Sequence, residues 1–218
     1  MSIQLGINHF LEMISSYHPK WIVVAVKADV DRVSDSLTEI AKVKSIRRNV
    51  TISEIEYEQT SSSDMIAIAQ PKNNSWSVIS WGLNSWAELL SKRLHTKAVT
   101  LAMDDTSAGT TYEIYHNGKL VEKADWAPGF NMHYESNIRP QPNLDLLDPD
   151  DDDETYDEEK GTTHNEQVFH KFVDRVFCEE GVYIPTCWPQ SNGEDGQLFV
   201  EAWSIGLIER ANLLDIAA

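Results

Sequence analysis

The dipeptide Asn117-Gly118, between TTYEIYH (110–116) and KLVEKADW (119–126), constrains the fold more than any other feature of the chain. Two adjacent residues that accept positive φ make a type I′ turn, whose twist matches that of paired strands. The flanking segments are therefore expected to form an antiparallel hairpin, and KAVTLAM (97–103) reads as a further strand leading into it.

Upstream, a strand followed by a helix occurs twice. WIVVAVK (21–27) is a β-branched apolar run of the kind buried on both faces of a sheet. Val33, Leu37 and Ile40 then recur at helical spacing within Asp31–Lys44, with Asp31 as the expected N-cap. The basic run KVKSIRR (42–48) reads as the end of that helix, where cations suit the dipole. ISEIEYE (52–58) alternates as a strand, and MIAIAQ pairs with SWSVISW (75–81) about the turn signal PKNN (71–74). A second helix is expected from Asn84 or Ser85, where Ser85 and Glu88 have capping-box spacing and Trp86, Leu89, Leu90 and Leu94 form the inner stripe. Both units open on Trp-x-Val, which suggests a βαββ-then-βαβββ order and an internal duplication. Trp76, Trp81, Trp86, Trp188 and Trp203 are expected to serve mainly as core.

Two terminal regions complete the outline. Ile7, Phe10, Leu11 and Ile14 suggest a short N-terminal helix. Residues 127–162 hold four of the eight prolines and most of the charge clustering, and are expected to be an irregular, acidic insertion. Thr163 then opens a helix with the stripe Val168, Phe169, Phe172, Val173, Val176 and Phe177, ending near Gly181. Cys178 falls on its apolar face and is expected to be a buried thiol; nine residues on, Cys187 makes neither a CxxC pair nor a disulfide framework with it. VYIPTCW (182–188) and QLFVEAWS (197–204) read as strands, and Ile208–Asp215 as a last short helix. The expected fold class is thus α+β, a largely antiparallel sheet with helices packed on it, with residues 1–218 in one domain.

Charge narrows the function. The 35 acidic residues against 18 basic ones give a net charge of −17. Ten of those acids lie between Asp145 and Glu159; without them 25 acids face 18 bases, a net −7. Such a balance argues against nucleic-acid binding, which needs clustered Lys and Arg. No apolar stretch nears membrane length, and MSIQLGINHF lacks a basic n-region, so a cytoplasmic location is expected. The acidic residues Asp150, Asp151, Asp152, Asp153, Glu154, Asp157, Glu158 and Glu159 are the candidate hook for a basic protein partner. They are a poor calcium loop. In an EF-hand frame starting at Asp148 the sharp-bend position falls on Asp153, where glycine is the norm.

Catalytic signatures are sparse. The sequence contains no GxSxG, SxxK, GxGxxG, GxxxxGK[ST] or HExxH. Asp104 and Asp105, at the end of a strand, with Glu113 across a hairpin, are the candidate Mg²⁺ ligands. Asp, Thr, Ser and Gly are also what a turn requires there. No cofactor is implied. The leading reading is a non-enzymatic protein-binding module, such as an inhibitor-like partner of a basic protein. The alternative is a metal-dependent hydrolase built on the Asp pair.

Overall fold

A computed structural model describes residues 21–51, 54, 65–79, 83–104, 109–127, 132–143, 164–182 and 208–216. The expected elements at 7–14, 183–188 and 197–204, all of 52–58 except residue 54, the acidic tract, Asp105, Trp81 and Cys187 lie outside them. In chain order the elements are β1 (Trp21–Val26), α1 (Val30–Ile40), β2 (Val43–Arg48), β3 (Met65–Pro71), β4 (Ser77–Ile79), α2 (Asn84–Leu94), β5 (Lys97–Asp104), β6 (Gly109–His116), β7 (Lys119–Trp126), β8 (His133–Ser136), α3 (His164–Glu180) and β9 (Ile208–Ile216). The strands form one nine-stranded sheet in the order β2-β9-β3-β4-β1-β5-β6-β7-β8. Every neighbouring pair is antiparallel.

β1 shows why both faces are covered. Val23, Val24, Ala25 and Val26 are all buried, and successive residues of a strand face opposite ways. Val23 and Ala25 join an apolar cluster that contains Phe169, Val173 and Val176 of α3. Val24 and Val26 join another, with Val30, Val33 and Leu37 of α1 and Trp86 and Leu90 of α2. Both α1 and α2 thus contribute to the same layer. β1 lies antiparallel to β4 and both feed a helix, yet the two units differ: α2 leads over one strand to β5, and α1 over three to β2. Trp76 is buried in the cluster containing α3 and Trp86 in the other, as expected of core tryptophans; Trp126, not singled out from the sequence, is buried with Trp76.

The Asn117-Gly118 hairpin is as the sequence requires, with φ of 53° and 75° at its two central residues. Gly118 is constrained twice over. Besides its φ, a Cβ placed there would lie 2.5 Å from Lys92 Cβ on α2. Its amide donates to Ser91 Oγ, whose hydroxyl donates to the Thr96 carbonyl, so turn and helix end are joined. Gly118→Ala is expected to lower stability by about 1–3 kcal/mol through backbone strain alone, before the clash is counted. A urea midpoint within error of the parent would refute this.

Several expectations are corrected. KVKSIRR does not end α1: the helix stops at Ile40, Ala41 is extended, and Val43–Arg48 pairs with β9 as a strand. Ile208–Asp215 is no helix but β9, inserted between β2 and β3, because pairing with two distant strands outweighs its local helix preference. Asp29, not Asp31, caps α1 by accepting from the Asp31 amide. α2 starts behind Leu83 and has no side-chain cap, so the capping box at Ser85 is not used. Residues 133–136, expected within the irregular insertion, add β8 to the sheet. Cys178 is exposed rather than buried.

Candidate functional site

Register gathers a charged cluster at the end of α3. Glu122 on β7 stands opposite Ser136 of β8 and diagonal to Tyr112 of β6, whose partner is Ala124. All three side chains therefore share the face that α3 covers. Tyr112 Oη donates to Glu122 Oε1 at 2.7 Å, and Ser136 Oγ to Oε2 at 3.1 Å. Arg139 donates to Glu122, Glu179 and Glu180, and Lys97 donates to Glu180 at 2.6 Å. The Glu122 side chain is 0% exposed and that of Glu180 7%. Burial pushes the Tyr112 phenol far above its ordinary value, and Glu122 as acceptor adds to the rise. Burial alone would raise the Glu180 carboxyl, but the hydrogen bonds from Lys97 and Arg139 outweigh it and hold it below the usual range. Each oxygen of these two buried carboxylates already accepts from a donor. The arrangement locks β6, β7, β8 and α3 together.

A second cluster stitches α1 to the far edge of the sheet. Asp31, released from capping, accepts from Asn212 Nδ2 at 3.0 Å and Arg48 at 2.8 Å, and also pairs with Arg210. The hydrogen bond from Asn212, chiefly, with those from the two arginines, overcomes burial and holds the Asp31 carboxyl at about 2. Asn212 is itself fully buried and donates to Ser34 Oγ as well.

A third set is open to solvent. On the face opposite α3, Glu113 pairs across the strands with Lys123, and Lys123 with Glu135; beside them Thr111 pairs with Asp125, and Asp125 with His133. Lys123 Nζ lies 3.7 Å from Glu113, and the two His133 ring nitrogens lie 3.5 Å from Asp125 and 3.3 Å from Glu135. Tyr115 donates to Glu113 at 2.7 Å. Burial, then that carboxylate, pushes its phenol upward. A register shift after Ile114 sets Leu120 opposite Tyr115, turning an apolar side chain 41% exposed onto this same face.

The residues singled out from the sequence fare differently. Asp150, Asp151, Asp152, Asp153, Glu154, Asp157, Glu158 and Glu159 lie outside the described residues. Asp104 ends β5 opposite Gly109, whereas Glu113 stands opposite Thr100, four residues earlier on that strand. At a strand rise of about 3.3 Å those positions are about 13 Å apart, so the register does not bring Asp104 and Glu113 together. Glu113 instead serves Tyr115 and Lys123. Among the described residues no group of three or more His, Cys, Asp or Glu could hold a metal ion. Glu122 and Arg139 were not singled out from the sequence, although Glu122 falls in phase with Ala124 and Trp126 on an alternating strand. That phase was the available signal. Among the described residues no helix is long and apolar enough to cross a membrane. No protein-family model, curated protein or solved structure matches the chain.

Proposed function

We propose that the chain is a non-enzymatic binding module that recognises a basic protein, in the manner of an inhibitor. The observation that carries this reading is the distribution of charge: a net −17, with ten of the 35 acids between Asp145 and Glu159. A concentrated negative segment raises the encounter rate with a cationic partner, and neutral and aromatic contacts then hold it. The buried carboxylates beneath α3 are consistent with this reading, since their hydrogen bonds hold the scaffold together. The reading takes residues 1–218 as one cytoplasmic domain and the two strand–helix units as copies of one ancestor. Antiparallel pairing of β1 with β4 and the shared layer of α1 and α2 support the duplication.

Deleting 145–159 tests it. The association rate with the basic protein retained by the full chain is expected to fall about tenfold or more at low ionic strength, with a flatter dependence on salt. Equal rates for the two chains would end the proposal.

A further inference from the structure

We infer that the open face of β6, β7 and β8 is the surface on which the basic partner docks; the inference rests on the function proposed above and gives that function a location on the folded body. Width explains why, among the described residues, α1 and α2 leave this face uncovered. Nine strands about 4.8 Å apart span about 38 Å, whereas two helices side by side cover about 20 Å. α1 and α2 both lie on this side and are tied to each other by the Arg93–Glu39 pair. Their cluster takes in β1, Ile66 and Ile68 of β3, Ile79 of β4, Ala98 of β5 and Leu214 of β9, but from the last three strands only Tyr115, partly buried at its rim. The opposite face of those same strands is filled by Tyr112, Ala124, Trp126 and Tyr134 against Phe169 and Phe172. One side of this end of the sheet is core; the other is half-buried at Glu113 and Lys123 and exposed at His133 and Glu135.

What the exposed side presents is chemically specific. Its side chains are Glu113, Asp125 and Glu135 against Lys123, with His133 between two carboxylates, a net −2 when His133 is neutral. Glu135 and His133 are 68% and 57% exposed. One group departs from a merely solvated surface. Leu120 is turned outward by the register shift at Ile114/Tyr115 and offers an apolar contact beside the charges. Thr100, cross-strand partner of Glu113, is 2% exposed and belongs to the covered part of the sheet, so the open patch begins at β6. A sheet face with an apolar residue and excess carboxylates fits a lysine- or arginine-rich protein surface by complementarity of charge. β8 has β7 as its only strand neighbour among the described residues, so the patch continues to the edge of the sheet.

The test uses the full chain, a chain in which the ten acids of 145–159 are changed to their amides, and each with Asp125→Lys plus Glu135→Lys. The probe is cytochrome c, a small folded basic protein, added at low ionic strength while backbone amides are followed by NMR. Shifts at Glu113, Lys123, Asp125, His133 and Glu135 in the amide chain, lost in its charge-reversed counterpart with affinity down about tenfold, would support the patch. Unchanged melting of the charge-reversed chains would confirm that they fold. Binding by the full chain alone, with no shifts on β6–β8, would overturn the patch while leaving a basic partner for the acidic tract. Absence of binding to any chain would remove both. Self-association of the free chain that quenches the same amides would also overturn it, by making a second copy the occupant.

Discussion

Arg139→Met is expected to cost about 3–5 kcal/mol, because it strips the main counterion from a carboxylate that has no access to water. Among the described residues, Glu122 would keep Tyr112 and Ser136 as donors, and Glu180 would keep Lys97. Methionine fills much of the same volume, so the loss measures charge pairing more than packing. Adding Glu122→Gln should recover about 0.5–3 kcal/mol, since the buried charge disappears together with its partner. Acid titration gives a second readout. The folded-state value of Glu180 lies below its ordinary one, so its stabilising contribution is present above the unfolded glutamate range and drains away as pH falls beneath about 4.3. Without Arg139 that loss on acidification should be smaller. A variant that melts with the parent at neutral pH would show that the cluster is solvated and contributes little.

The hairpin at Asn117-Gly118, the runs in β1 and β5, and the strand–helix units were legible because each is encoded by neighbours in sequence. Positive φ at a turn and a β-branched run leave few alternatives. What was illegible depended on partners far along the chain. KVKSIRR looks like the end of a helix until β9 is set beside it, and β9 itself, rich in Leu, Ala, Glu and Arg, has the composition of a helix. The candidate site divides in the same way. The acid excess could be counted, but the exposed face of β6–β8 depends on a register shift between β6 and β7 and on the reach of two helices, and neither is encoded locally. Asp104 and Glu113 seemed near because they flank one turn; the ladder between β5 and β6 separates them.

β9 yields the other large effect. Ala211, Asn212, Leu213 and Leu214 are consecutive and all 0% exposed, as expected of a strand covered on both faces. Leu213 belongs to the layer with α3 and Leu214 to the layer with α1 and α2. Leu213→Ala and Leu214→Ala are each expected to cost about 2–5 kcal/mol, the price of a buried leucine whose cavity cannot collapse. Because the two act in separate layers their costs should add, giving about 4–10 kcal/mol for the pair. A domain of this kind is stable by about 5–15 kcal/mol, so the double variant should lie at or beyond the edge of folding. On a surface helix, by contrast, one of two adjacent leucines would face water and its truncation would be nearly silent. Urea unfolding of both single variants separates the cases: a loss below about 0.5 kcal/mol at either position would mean that this segment does not run through the middle of the sheet.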